Sequence, residues 1–401
     1  MNPPLSAQIR TDNRLSVVVV GGGVAGAAVV RGLSSRLDKT KYRLVLITSR
    51  PCHTYLPGAL RLLASPDVPL SSVFMSYDKI FGKFPGEIIV GTATSIEENK
   101  DPLLSRGGFV VVEGGQTVMY DALVIATGSS WVGHLAFPNK ETEFKEHVSS
   151  WRKKIQDAQH IVIVGGGAVG IEVSGEIKDS YPSKDITIVH ANRLLLGDMY
   201  PETFRTDVED RLRRRGVSII FNDTIEGNAA PKGTIRTSQG VSLPCDLLIH
   251  ARGGRPNASL LKFLRPSVLT DRGYVKVTPK LQVESHQNIF ALGDIIDWPE
   301  AKQLTKISMG HAPVVINNVM NYLEGRLPKK AYRKTPEILA ISIGRGGGAS
   351  YLGYLWGLTF GSHFTRYVKS VDLMVGFARR SIGLPAHCEK EEDQTLQRHI
   401  E

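Results

Sequence analysis

The stretch Val17-Val18-Val19-Val20-Gly21-Gly22-Gly23-Val24-Ala25-Gly26 places four β-branched apolar residues directly before a G-x-G-x-x-G run, and Ile161-Val162-Ile163-Val164-Gly165-Gly166-Gly167-Ala168-Val169-Gly170 repeats the arrangement. Each reads as strand, tight turn, helix. Glycine is needed at the turn, where backbone approaches a pyrophosphate, and where helix packs close on strand, while the helix N-terminus offers amide donors and the positive end of a dipole. One such match is weak evidence, because glycine-rich turns also serve as plain punctuation. Two in strand context within one chain predict two bound dinucleotides and electron transfer between them. Gly21, Gly23, Val24, Ala25 and Gly26 would cradle one pyrophosphate, and Gly165, Gly167, Ala168, Val169 and Gly170 the other.

Composition agrees with a folded enzyme. A length of 401 residues suggests two to three domains, and 42% hydrophobic residues with 40 glycines fits α/β architecture better than disorder. No apolar run reaches the roughly 18 residues of a membrane span. Met1-Asn2-Pro3-Pro4 lacks a secretory pattern, position 2 is not glycine and the C-terminus has no prenylation box. A cytoplasmic protein is therefore expected, with any membrane contact peripheral. No metal site is expected.

Punctuation divides the chain. Tyr120-Asp121-Ala122-Leu123-Val124-Ile125-Ala126-Thr127-Gly128-Ser129 reads as a buried strand ending in a glycine turn, and 131–159 crosses to the second fingerprint. Cys245 to Asn257 holds a counterpart strand and turn, and Asn288-Ile289-Phe290-Ala291-Leu292-Gly293-Asp294 ends a further strand on an acidic residue. The predicted fold is α/β, with two Rossmann-like domains in a glutathione-reductase-like arrangement and a C-terminal α+β domain. The expected boundaries are 14–130 with 253–326 for the first, discontinuous domain, 131–252 for the second and 327–401 for the third.

The paired fingerprints, Ala126-Thr127-Gly128 and Gly293-Asp294 resemble the two-dinucleotide-binding flavoproteins. Ile163 to Glu172, Glu176-Ile177-Lys178, Tyr181-Pro182, Ala59-Leu60-Arg61 and Val368-Lys369-Ser370-Val371-Asp372-Leu373 are similar to the apoptosis-inducing-factor-like and ferroptosis-suppressor family, related to type II NADH dehydrogenases. The resemblance runs from about Ser16 to Pro385. It implies an FAD-dependent NAD(P)H:quinone oxidoreductase whose C-terminal domain helps form the acceptor site and meets a membrane such as the outer mitochondrial or lipid-droplet surface. It further implies FAD contacts from Arg61, Ala93, Thr127, Gly128, Gly293 and Asp294. Cys52, Cys245 and Cys388 lie far apart without a C-x-x-C or C-x4-C pair, so no redox disulfide is expected and the reduced flavin would serve a small acceptor directly.

At two strand ends the sequence departs from the usual pattern. An acidic residue commonly takes the adenosine ribose hydroxyls; Thr48-Ser49-Arg50 stands at the first position, with Thr48 or Arg50 as substitutes, and His190-Ala191-Asn192-Arg193 at the second. A carboxylate there would repel a 2′-phosphate, so its absence, with Arg193 as phosphate partner beside His190, predicts use of NADPH or of both NADPH and NADH. The resemblance places Glu172 beside the nicotinamide, as orienter and proton relay, and Lys369 near the flavin as a stabilising cation. A Glu early in a helix is also what the dipole favours.

From 329 to 380, nine basic residues stand against Glu337 and Asp372, giving +7 of the chain's +10. Between them sit Tyr351, Tyr354, Trp356, Phe360, Phe364, Tyr367, Met374 and Phe377, a mixture suited to an anionic membrane interface or to the core of a small sheet. Quinone is the expected acceptor. Alternatives are an NAD(P)H oxidase, a biosynthetic flavin oxidoreductase with another small acceptor, and an NAD(P)H-sensing flavoprotein binding nucleic acid through nonspecific phosphate contacts, for which no motif is present.

Overall fold

The structure is a computed structural model describing residues 13–99, 107–227, 233–354 and 357–387. Trp356, Cys388 and the acidic tail fall outside these. Runs such as Val17 to Val20 and Ile161 to Val164 are apolar without alternation because both faces of the sheets they build are covered, one by helices and the other by small antiparallel β elements: strands Ala93–Glu98, Gly108–Val112 and Thr117–Tyr120 over the first sheet, and the hairpin of Gly233–Arg236 and Ser242–Cys245 over the second.

The first sheet is parallel, in the order Ile289–Ala291, Ala122–Ile125, Leu15–Val20, Tyr42–Thr48 and Glu87–Val90. Its strands come from two separated parts of the chain, with Phe290 paired to Val124. The second parallel sheet runs Val217–Ile220, Asp185–Val189, His160–Val164 and Leu247–His250. Ser129–Ser130 and Arg255–Pro256 pair antiparallel where the chain leaves the first unit and returns to it. The third unit is an antiparallel sheet of Ile338–Ser342, Gly348–Leu352 and Leu358–Phe360, followed by a π-helical turn at Arg366–Ser370 and a helix at Val375–Ser381. Among the described residues no helix is long and apolar enough to cross a membrane.

The crossing segment carries a pH-sensitive group. His134, in the turn Gly133–Leu135, is 1% exposed, lies edge-on to Trp151 and has no hydrogen-bond partner on either ring nitrogen. Burial is the main reason its imidazole titrates at about 4 rather than 6.5, with His147 and His250 adding repulsion. Because the unfolded chain takes up this proton first, stability is full above pH 6.5 and falls as pH drops towards 4. The expected loss is about 3 kcal/mol over that window, at 1.36 kcal/mol per pH unit. Urea unfolding at pH 7 and pH 4.5 should show it, and His134→Phe should flatten the difference.

Candidate functional site

The two fingerprints fold into nearly identical cradles. Gly23 caps the helix Val24–Ser34 at φ −71°, ψ −173°, and Gly167 caps Ala168–Ser180 at φ −81°, ψ −175°; neither helix has a side-chain cap or an acidic residue in its first turn. The amides at both N-termini are therefore left for an anion. The three glycines of each run have different reasons to be glycine. A Cβ on Gly21 would lie 2.4 Å from the Ala126 carbonyl oxygen, and one on Gly26 1.8 Å from that of Gly21. Gly165 and Gly170 repeat this, at 2.5 Å from the Ala251 oxygen and 2.0 Å from the Gly165 oxygen. A Cβ on Gly23 or Gly167 would meet nothing within 4 Å. These middle glycines face space that a pyrophosphate fits. Gly23→Ala should fold as the wild type does yet hold FAD at least about tenfold more weakly, about 1.4 kcal/mol, and Gly167→Ala should do the same to NAD(P)H while FAD stays bound. Equilibrium dialysis and fluorescence quenching read the two affinities.

Around the first cradle the structure places Gly293, at φ +84°, with its Cβ position 3.0 Å from the Ala25 side chain, so Asp294 lies beside the cradle helix. Burial pushes the Asp294 carboxyl up, while Lys302 and His311 pull it back. Gly128, at φ +62°, borders open space, and the Thr127 hydroxyl donates to the Asn257 carbonyl across the domain crossing at 2.7 Å.

Several expected contacts find other partners. Thr48 is buried beneath Gly22, whose Cβ would meet Tyr77 Oη at 1.9 Å and Thr48 Oγ1 at 2.7 Å. Arg50 donates to the carbonyls of Pro138 and Phe137 at 2.8 and 2.6 Å, tying the crossing segment to the first domain. Ala93 begins an antiparallel strand paired with Val112. Arg61 is enclosed by partners from two other parts of the chain. It is 5% exposed, grips Glu176 with Nε and Nη2 at 2.7 and 2.9 Å, and donates to the Val371 and Ser370 carbonyls at 2.7 Å each. One guanidinium thus joins helix Leu56–Ala64 of the first domain, the second cradle helix and the C-terminal unit.

At the second cradle, His190 Nδ1 accepts the Gly166 amide at 3.1 Å, which leaves Nε2 to carry the proton. That Nε2 is buried without a partner, and burial holds the imidazole below its ordinary pKa. Arg193 is exposed and paired with Glu202.

Glu172 and Lys369, 197 positions apart, meet. Lys369 Nζ donates to Glu172 Oε1 at 2.6 Å and to the Ala340 carbonyl at 2.8 Å, and the Ser342 amide also donates to Oε1, at 3.1 Å. The helix begins at Ala168, which makes Glu172 its fifth residue rather than a first-turn residue. The dipole explanation for this Glu therefore fails, since the effect fades beyond the first turn. Lys369 is held in the π-helical turn, a geometry that recurs at functional sites.

Other groups gave no signal in the sequence. His53 Nδ1 lies 2.9 Å from the Gly22 carbonyl oxygen, to which Tyr77 also donates at 2.7 Å, fixing the first fingerprint turn from below. Behind Gly293, His311 Nδ1 accepts the Gly293 amide at 3.3 Å and His311 Nε2 meets Glu300 at 3.1 Å; Tyr332 and Lys306 also engage Glu300, and Lys306 reaches Glu337 at 2.6 Å. Burial pushes the Cys52 thiol up to about 12, and neither Cys52 nor Cys245 is in a disulfide.

Two glycine cradles at helix N-termini on two parallel sheets, joined by a double crossing, define a two-dinucleotide oxidoreductase, the class that works with FAD and NAD(P)H. The chain belongs to the pyridine nucleotide-disulphide oxidoreductase family, whose model matches residues 15–315. It is 38% identical over 323 residues to the FAD-dependent oxidoreductase FVFD30 of Flammulina velutipes, covering 80% of this chain and 99% of that one. It is 28% identical over 386 residues to ferroptosis suppressor protein 1 of Mus musculus, covering 92% and 97%. Among solved structures, the sulfide:quinone oxidoreductase of Aquifex aeolicus aligns with a TM-score of 0.71 at 19% identity over 96% of this chain and 95% of that one, a likeness of fold.

Proposed function

We propose that the protein passes electrons from NAD(P)H through FAD to a quinone, with Glu172 and Lys369 as its working side chains. The observation that carries this reading is their buried ion pair at the junction of the second cradle helix and the C-terminal unit. The choice of acceptor is supported by the resemblance to the ferroptosis-suppressor family, to one of whose members the chain is similar over 92% of its length. Bound FAD supplies the capacity to take a hydride and release electrons to an acceptor; positioning, water exclusion and proton handling belong to the chain. Glu172 Oε1 is fixed by two donors, leaving Oε2 to receive the nicotinamide carboxamide or a proton. Lys369 holds positive charge where negative charge develops during turnover. Open-cradle glycines and uncapped helix ends hold the pyrophosphates. Arg193 exchanges Glu202 for a 2′-phosphate, so Glu202→Gln should tighten NADPH relative to NADH.

We also place a membrane contact on the C-terminal unit. Leu358, Phe364, Tyr367, Val371 and Phe377 are exposed there, while Tyr351 is core. The charge available is smaller than the sequence count, because Lys369 is paired with Glu172, Arg379 is 1% exposed and Arg345 faces Asp67. At about 1 kcal/mol per basic residue, screened beyond roughly 8 Å at physiological salt, the rest still favour anionic lipid.

Steady-state oxidation of NADH and NADPH with quinones of short and long tail, with oxygen as the control acceptor, tests the reaction. Rates that quinone does not raise above oxygen alone would replace this reading with an oxidase. Flotation with anionic vesicles should weaken with salt, and equal flotation with neutral vesicles would remove the charge contribution.

A further inference from the structure

Away from both cradles, a cavity of about 180 Å³ opens between the C-terminal end of helix Glu202–Arg214 and the turn that joins Ile338–Ser342 to Gly348–Leu352. Arg211, Arg214, Arg215, Gly346, Gly347 and Ser362 line it. Arg211 donates through Nη1 to Ser362 Oγ at 2.8 Å and through Nε to Asp207 at 2.8 Å. Arg215 is paired through Nη1 with Asp179, and Arg214 uses only Nε, on the Asp210 carbonyl at 3.2 Å. The Nη2 groups of all three remain uncommitted. Basic residues in a last helical turn are favoured by the dipole, but that accounts for their position on the helix and not for their convergence on a glycine turn. Arg213, in the same turn, points elsewhere, to Glu209 and Ile219.

We propose that this cavity binds a phosphoryl group, as free phosphate or as the headgroup of a phospholipid. The three Nη2 groups, with Arg214 Nη1 and a side-chain-free loop beside them, form a donor set suited to a tetrahedral oxyanion, while the Ser362 hydroxyl, which accepts from Arg211 and donates to the Gly348 carbonyl at 3.4 Å, holds Arg211 in place. Two of the arginines keep carboxylate partners, Asp207 and Asp179, so the site carries a modest net positive charge and suits a small anion. Its volume of about 180 Å³ is below the ~300 Å³ at which sites that enclose whole drug-sized ligands begin, and suits a single phosphoryl group. A Cβ at Gly346 would point at Arg215 Nη2 at 3.0 Å, so the glycine keeps the cavity open. The site backs onto the ion pair: the Gly347 carbonyl accepts Ser370 Oγ at 3.0 Å beside Lys369, and the same hairpin supplies the Ser342 amide to Glu172. An occupant braces that hairpin against the nucleotide domain.

The test uses the FAD-loaded protein with saturating NAD⁺, so that the cradles are filled. Inorganic phosphate is titrated against chloride at constant ionic strength while the Tm and the heat of binding are followed; vesicles of phosphatidylcholine with and without phosphatidic acid form the second arm. Arg214→Gln and Gly346→Asp are the variants, the first on an exposed side chain and the second placing a carboxylate in the cavity. A saturable phosphate response weakened at least about tenfold in both variants is the expected result. A response to phosphatidic acid alone, lost in both variants, supports the site with lipid as the source. No response in either arm, or responses unchanged by both variants, would overturn the proposal.

Discussion

Glu172→Gln will slow reduction of bound FAD by NAD(P)H in anaerobic stopped-flow mixing by about 10²- to 10⁴-fold, the range for a positioned acid–base group, while FAD content stays at the wild-type level. Gln keeps the shape and can still accept the Ser342 amide, so the change removes the charge opposite Lys369 and the capacity to hold a proton. Lys369→Met acts on the other half. It leaves the Glu172 carboxylate buried with one amide donor, and removal of one partner from a buried pair costs about 3–5 kcal/mol. The double variant should recover part of that stability, because no charge is then stranded, but none of the rate. Additive stability losses would show that the pair is not coupled, and unchanged flavin reduction in Glu172→Gln would make Glu172 a structural residue.

Arg61→Ala will destabilise the protein by about 3–5 kcal/mol for the same reason, since it strands Glu176, whose carboxyl burial already pushes up and Arg61 pulls down. It also removes donors from the Ser370 and Val371 carbonyls, next to Lys369, so the C-terminal unit should loosen first. Hydrogen exchange over 366–373 reads this. Arg61→Lys keeps a charge but cannot reproduce a forked grip and two carbonyl contacts at once, and should restore less than half of the loss. Retention of FAD by the folded fraction is expected throughout. An unchanged urea midpoint together with lost FAD would return Arg61 to the flavin.

The cradles were legible because their information is local. Four apolar β-branched residues followed by glycines at fixed spacing specify strand, turn and helix within ten positions, and the steric reasons for Gly21, Gly26, Gly165 and Gly170 act within the motif or on the adjoining strand end. The two parallel sheets followed from the same pattern. Expected roles that depended on what a side chain reaches fared differently. Thr48, Arg50 and Arg61 were read as cofactor contacts from position, and their side chains engage the Arg50 carbonyl, the 137–138 backbone and Glu176 respectively.

The sequence by itself determined two nucleotide cradles, the discontinuous first sheet and the absence of a C-x-x-C dithiol, since strand periodicity, glycine spacing and cysteine spacing are properties of the chain as written. Tertiary structure alone decided that Glu172 and Lys369 share a proton-bearing contact 197 positions apart, that Arg61 fastens three units together, and that three arginines converge on a glycine turn. Ion pairing falls off over a few ångströms, whereas nothing in a linear pattern records which distant residues packing brings within that range.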